Sequence, residues 1–332
     1  MRLSKQIHIF TMHEKITRRQ WGKIALKSAS AFVGFSVMLY SRSSFGKNEN
    51  RYTKAQPGSK YLPGEVTIGV QTYSFRDRNL DETIKAMRAL GIKSCELWEG
   101  HVEPQEFQWK ANSTPEQTKA KQAGLEKWRA ELNIDDIKKL RDKIEQAGIA
   151  IQAYNGTIKD NTSDAGIDAI FRITRALGTD LLTTSSTVSV MKRVDVYAQK
   201  YKVRVGMHNH DHFEKPNEIA SPESFVNGMA GNSNYIGINL DIGHFAAANQ
   251  DPLSYIREHY KKIYCIHLKD RKHNHGIRTP FGQGDTPIAE ILRLIRDNNW
   301  PIPANIEYEY NGADAFTEVK NSLDYCKKVL AS

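Results

Sequence analysis

Three features of the 332-residue sequence predict an α/β fold, a closed (β/α)8 barrel. Eight short apolar segments with strand character start near Thr67, Ser94, Ile149, Asp180, Val203, Ile236, Ile263 and Ala304. Segments of helical periodicity lie between them, so strands and helices alternate over about 265 residues, the size of such a barrel. No Gly-x-Gly-x-x-Gly fingerprint follows the first strand, which argues against an open dinucleotide-binding sheet.

Residues 1–46 read as an export segment. They carry eight basic residues against Glu14, so the formal charge of +9 leaves only about +2 for the rest of the chain. That body gives no reason to expect nucleic acid as a partner. Thr17-Arg18-Arg19-Gln20-Trp21-Gly22-Lys23 resembles a twin-arginine export signal, which implies a periplasmic location. The apolar run Ile24–Tyr40 follows, interrupted by Lys27, and Ser44-Phe45-Gly46 offers a small-residue cleavage site. The start is Met1 or Met12. The run is shorter than the ~20 residues of a comfortable span, so no stable membrane span is expected after processing. Residues 47–64 are a polar, Gly- and Pro-containing linker, and 65–332 form the barrel.

Within the barrel, Leu80–Leu90 has apolar residues at 80, 84, 87 and 90 and stops at Gly91. Ile134–Gln146 has them at 134, 137, 140 and 144 and stops before Gly148, and Ile167–Leu177 stops at Gly178. Val188–Tyr201 is a shorter helical segment. Pro252–Tyr260 and Pro287–Asn298 begin with proline, whose missing N–H costs nothing in a first turn. A charged insertion, residues 100–133 with Trp109 and Trp128, interrupts the rhythm after strand two. Its second half, Pro115–Leu132, is helical, and its place over the active face of a barrel suits a lid or specificity element. Cys95 and Cys265 fall in strands and Cys326 on a helix, without metal or CxxC spacing; they read as core residues.

Four adjacent strands end in metal-binding residue types. Val203–His210 ends in His208-Asn209-His210, and Gly237–His244 carries Asp241 at its end and His244 in the following turn. Ile263–Asp270 ends in His267-Leu268-Lys269-Asp270, and Ala304–Tyr310 in Glu307-Tyr308-Glu309. Strand C-termini converge on one face of a barrel, so these groups imply one shared site. A mixed His/Asp/Glu set favours one divalent ion such as zinc, cobalt or manganese over calcium. Lys269 is placed either to neutralise an enolate or to pair with Asp270.

Several motifs together resemble the xylose isomerase-like TIM-barrel superfamily, which includes the sugar phosphate isomerases/epimerases. They are Gly-Val-Gln-Thr-Tyr-Ser-Phe-Arg (69–76), Glu-Leu-Trp-Glu (96–99), His-Asn-His-Asp (208–211), Leu-Asp-Ile-Gly-His (240–244), His-Leu-Lys-Asp (267–270), Gly-Gln-Gly-Asp (282–285) and Ile-Glu-Tyr-Glu (306–309). The resemblance implies Asp241, His267 and Glu307 as metal ligands, with His208 where many relatives place a fourth, glutamate ligand. His244 resembles the histidine that binds metal or substrate beside the aspartate. Catalytic candidates are His208, His210, His244, Glu307 and Lys269, with Glu309 a further candidate base. Substrate-binding candidates are Tyr73, Trp98, Glu99, Asn155 and Arg278.

The implied activity is a metal-dependent isomerase or epimerase acting on a small carbohydrate through a stabilised enediolate. Replacement of one carboxylate by His208 weakens a two-base epimerisation. It leaves room for a 3-keto-glycoside lyase or hydratase of the same superfamily. A non-catalytic exported sugar-binding protein is the alternative of another class. Endonuclease IV-type repair is disfavoured because strands three and four end in Tyr154-Asn155 and Thr184-Ser185-Ser186 rather than histidines. The sequence leaves association into a homo-oligomer open.

Overall fold

A computed structural model of the protein describes residues 65–108, 112–212 and 214–332. The expected export segment, the linker and Trp109 lie outside the described residues. The chain runs β1 (Ile68–Gln71), α1 (Leu80–Ala89), β2 (Ser94–Trp98), α2 (Pro115–Ala130), α3 (Ile134–Gln146), β3 (Ala150–Asn155), α4 (Asp164–Ala176), β4 (Leu181–Thr184) and α5 (Met191–Tyr201). It continues with β5 (Arg204–His208), α6 (Pro222–Met229), β6 (Ile236–Asp241), α7 (Ile242–Ala247), α8 (Pro252–His259), β7 (Ile263–Leu268), β8 (Asp270–Arg271) and β9 (Arg278–Thr279). It closes with α9 (Ile288–Asp297), β10 (Ala304–Ile306) and α10 (Ala315–Leu330). β1–β7 and β10 pair in parallel around a closed ring, and β8 and β9 form a separate antiparallel hairpin. The (β/α)8 barrel read from the sequence is therefore present, with α2 in the expected insertion.

Parallel strands must bury both faces, one against the helices and one inside the ring. Val205, Met207, Ile238, Leu240, Ile266, Leu268, Ala304 and Ile306 join the apolar cluster that the surrounding helices cover. The alternate residues Asn239, Asp241, Cys265, His267, Asn305 and Glu307 point inward and are also buried. Two register shifts, between Cys95 and Glu96 on β2 and between Ile238 and Asn239 on β6, lie beside this polar interior. All three cysteines are buried and unpaired, as expected of core residues.

Three boundaries differ from the sequence reading. β5 stops at His208, because Asn209 turns sideways and brackets the backbone of Asp241 with two hydrogen bonds. After β6 the chain enters α7 directly, because Asp241 caps the helix by accepting from the His244 N–H at 2.7 Å. β10 ends at Ile306, although the Glu307 N–H still donates to the Leu268 carbonyl.

Gly243, in the first turn of α7, meets the backbone of Lys269; a Cβ there would lie 2.5 Å from its carbonyl oxygen and 2.8 Å from its carbonyl carbon. Backbone cannot swing aside as a side chain can. Gly243→Ala should therefore lose about 1–2 kcal/mol of stability despite the better helix propensity of alanine, read as a lower urea midpoint with an unchanged m-value.

Candidate metal centre and active site

The four ligand candidates come from four neighbouring strand ends, and the barrel brings them together. One donor atom from each of His208, Asp241, His267 and Glu307 lies within 4.8 Å of the other three. Opposite donors around one such ion stand about 4 Å apart, so the group has the span of a single coordination sphere. All four residues are buried. His208 Nδ1, Asp241 Oδ2, His267 Nδ1 and Glu307 Oε2 lack a hydrogen-bond partner of acceptable geometry. Close charge contacts exist nonetheless, with His267 Nδ1 2.8 Å from Glu307 Oε2 and Lys269 Nζ 2.8 Å from Asp241 Oδ2. Two imidazoles and two carboxylates with unsatisfied inward atoms are compatible with a divalent ion of the zinc, cobalt or manganese kind.

The other face of His267 is fully engaged. Its Nε2 lies 2.9 Å from each Glu96 oxygen. Glu96 is completely buried and also accepts from Thr183 Oγ1 at 2.6 Å and Asn305 Nδ2 at 3.0 Å. A carboxylate at Nε2 fixes the proton there and turns Nδ1 toward the centre, a tautomer assigned here from the network. Burial disfavours the charged imidazole, but Glu96 and Glu307 outweigh it and raise the His267 pKa well above its usual range. His208 behaves oppositely: burial, then the neighbouring His267 and His210, hold it neutral.

Lys269 follows His267 by two residues and therefore points inward as well. Its ammonium lies 3.0 Å from Glu307 Oε2, 2.6 Å from Glu309 Oε2 and 3.1 Å from His244 Nε2. Burial opposes its charge, yet Asp241, Glu307 and Glu309 raise its pKa and keep it protonated. The alternative pairing with Asp270 is overturned. Asp270 points outward and accepts from the backbone N–H groups of Gly282, Gly284 and Thr286, tying down the 282–286 loop. A Cβ at Gly284 would collide with that carboxylate, so this glycine is a matter of close approach.

His244 sits between two charges. Its Nε2 lies 3.1 Å from the Lys269 ammonium, and its Nδ1 lies 3.0 Å from Asp211 Oδ1 and 2.7 Å from the Arg271 guanidinium. Arg271 on β8 lies 2.9 Å from the same Asp211 oxygen. Desolvation alone would raise Asp211; His244 and Arg271 together drive its pKa far below the carboxylate range. His210, one step beyond β5, has its ring 4.9 Å from that of His208 and 5.5 Å from that of His244. Burial, His244, Lys269 and Lys159 push it below its ordinary value, so it is neutral. It keeps 31% of its side chain exposed, which gives it access to solvent.

The remaining candidates ring the mouth. Tyr73 and Trp98 meet edge to face at 5.0 Å. Both Glu99 oxygens already accept from Thr157, through its N–H and its hydroxyl, each at 2.7 Å. Asn155 donates to Thr183 Oγ1, and Arg278 on β9 lies 3.2 Å from Glu309. Sequence reasoning missed the roles of Asn239, Asn305, Asp211 and Arg271. Period-two alternation could have found Asn239 and Asn305, which share faces with Asp241 and Glu307. Asp211 and Arg271 leave no such signal, because they reach the site from loop and hairpin.

Glu96→Gln should weaken zinc affinity about 10–100-fold in a chelator-competition titration, with circular dichroism unchanged. Unchanged affinity would remove Glu96 from the centre. Because His267 binds its proton tightly in the fold, zinc uptake should release a proton and strengthen as pH rises. Calorimetry in two buffers of different ionisation enthalpy reads that proton directly.

The family profile described as xylose isomerase-like TIM barrel matches residues 84–329. Similar solved structures include a sugar phosphate isomerase/epimerase from Parabacteroides distasonis, at 16% identity and TM-score 0.55 over 80% of this chain and 97% of that one. A protein from Bacillus anthracis described as the probable 3-DHS dehydratase AsbF shares 14% identity and TM-score 0.56, over 81% of this chain and 99% of that one. The IolI protein with a binding zinc atom shares 13% identity and TM-score 0.58, over 80% of this chain and 98% of that one. At these identities the likeness is one of fold. No protein of curated description matches the sequence. The profile covers well over half of the sequence and spans every one of the four converging strand ends; the chain belongs to the xylose isomerase-like TIM barrel family.

Proposed function

We propose that this chain is a divalent-metal-dependent enzyme of the isomerase/epimerase type acting on a carbohydrate, with His208, Asp241, His267 and Glu307 holding one ion. The observation that carries the reading is the convergence of two buried imidazoles and two buried carboxylates whose donor atoms lie within 4.8 Å of one another. His208 Nδ1 has no partner among the described residues, and a buried polar atom left so costs about 1–3 kcal/mol, which supports a shared ligand. A bound divalent ion would polarise a sugar carbonyl and acidify the adjacent C–H. His210, neutral and solvent-accessible, takes that proton. Lys269 donates to the oxygen on which negative charge develops, and Glu309 with Arg278 anchors the lysine. Asp211 and Arg271 together hold the His244 ring beside Lys269. Tyr73, Trp98 and Arg278 border the sugar. The similar folds of a sugar phosphate isomerase/epimerase and a dehydratase support a carbohydrate-type substrate.

One observation favours a second reading, elimination from or hydration of a 3-keto-glycoside. Glu309 is held between Lys269 and Arg278, and His208 replaces a ligand carboxylate, so no second free carboxylate faces the first. Removal of the C2 proton beside a C3 carbonyl, with departure of the C1 substituent, needs only one base. The twin-arginine-like stretch supports export to the periplasm, where free or oxidised glycosides fit better than sugar phosphates.

Proton NMR in D2O of the zinc-loaded chain, with a 3-keto-glucoside and separately with a free ketose, tests both readings. Exchange or aldose–ketose conversion of the free sugar supports the isomerase; loss of the C2 proton with aglycone release supports the lyase. Silence in both tubes with zinc bound would shift the reading to a non-catalytic sugar binder. Asp241→Ala and His267→Ala should each lose zinc while the barrel stays folded; full zinc occupancy in either would sink the ligand assignment. His210→Asn should keep zinc and lower kcat about 10²–10⁴-fold.

A further inference from the structure

Arg271 and Arg278 reach the mouth already paired, with Asp211 at 2.9 Å and with Glu309 at 3.2 Å. Arg76, in the turn after β1, is not. It is exposed and has no carboxylate partner among the described residues, although Asp77 follows it and Glu307 and Glu309 are close by. We propose that Arg76 receives a carboxylate of the substrate, so that the carbohydrate handled at the centre is a sugar acid such as a hexuronate. The inference rests on the carbohydrate reading and narrows it to a substrate class.

Direct contacts join Arg76 to the candidate metal centre. Its Nη1 donates to the Tyr308 carbonyl at 2.8 Å and to the Tyr73 carbonyl at 3.3 Å. Tyr308 is one residue, about 3.8 Å along the chain, from the ligand candidate Glu307 on one side and from Glu309 on the other. Ser74, in the same turn, holds the other side of Glu307. Its hydroxyl donates to the Ile306 carbonyl at 3.2 Å and accepts from the Tyr308 N–H at 3.0 Å. The turn that carries Arg76 is thus stitched to the segment that carries Glu307. The guanidinium is also packed between two rings, 4.9 Å from the centre of Tyr73 and 5.7 Å from that of Tyr308. A side chain held by two carbonyls and two rings is pre-organised, unlike a solvated surface arginine.

The held corner leaves one edge free. Nη1 serves the two carbonyls, while Nε and Nη2 have no partner among the described residues. That edge carries two parallel N–H donors, which match the two oxygens of a carboxylate. Arg76 borders a cleft together with Tyr73 and Trp98, so a ligand group has room to reach it. The surroundings favour a single negative charge over a double one. A dianionic phosphate would meet Glu307, Glu309 and Asp77 with twice the repulsion, and its tetrahedral oxygens match the planar edge less well. In a hexuronate the acid group stands at C6. The carbonyl at C1 and the hydroxyl at C2 stay free for the centre.

Calorimetric titration of the zinc-loaded full chain tests the assignment, with glucose, galactose and mannose, the corresponding uronates and the corresponding 6-phosphates. The uronate of the recognised sugar should bind about tenfold or more tighter than its neutral partner, and tighter than its phosphate. Arg76→Gln should bring the uronate down to the neutral sugar, with zinc content and circular dichroism unchanged. Arg76→Lys, which keeps the charge without the paired edge, should retain only a fraction of the advantage. Arg78→Gln removes a nearby arginine already placed against Asp77 and Asp314, and should leave the advantage intact. Equal binding of uronate and neutral sugar, an advantage that survives Arg76→Gln, or one that Arg78→Gln erases equally overturns the assignment and spares the carbohydrate reading. Tighter binding of a 6-phosphate than of its uronate overturns the carboxylate. Failure of all nine sugars to bind overturns both readings. If Arg76→Gln fails to fold, Arg76→Lys decides, and a full advantage there overturns the assignment.

Discussion

The structure depends on a carboxylate with no water. Glu96 lies wholly inside the barrel, where an isolated charge is costly and must find hydrogen bonds or a cation. Thr183, Asn305 and Asn239 supply or complete the polar lining, and His267 supplies the counter-charge. The consequence propagates outward. His267 bound on its Nε2 side can present only Nδ1 to the mouth, and Asp241, Glu307 and His208 are grouped around that atom. A barrel interior filled by branched aliphatic residues would be easier to stabilise. This one exchanges some of that stability for a fixed imidazole.

Above that layer the charges alternate in sign. Asp241, Glu307 and Glu309 surround Lys269; Asp211 stands between His244 and Arg271. Each of these carboxylates lies beside a cation, and the three around Lys269 keep the lysine charged in a place that solvent barely reaches. The β8–β9 hairpin, which belongs to no barrel layer, earns its place by bringing Arg271 and Arg278 to this lattice.

The eight strands and most helices were legible because a closed parallel barrel repeats one physical demand. Each strand must be short and apolar on its outward face, and each helix must carry an apolar stripe ended by glycine or begun by proline. Ile134–Gln146 was legible to the residue for this reason. The convergence of His208, Asp241, His267 and Glu307 was legible because strand ends of a barrel meet. The helix after Asp241 was not, since its six residues are almost all apolar or small and read as a turn. The partnership of Glu96 with His267 joins strands far apart in sequence; alternation along β2 turns Glu96 inward, and closure of the ring brings its partner. The direction of Lys269 was available from alternation alone; its inward face followed from that of His267.

Asp241 divides its two oxygens between unlike duties. Oδ1 closes the first turn of α7 through the His244 N–H, and Oδ2 faces the candidate metal centre. An asparagine could cap the helix but would bring no charge to the centre; a glutamate would bring the charge but carry it one carbon too far to cap. Residues that serve one purpose can drift when a neighbour compensates. Here two compensations would have to arrive together, one in the backbone and one in the chemistry, so this position admits almost no evolutionary path. The same bond means that anything pulling on Oδ2 also pulls on the start of a helix, and with it on the histidine that the helix carries.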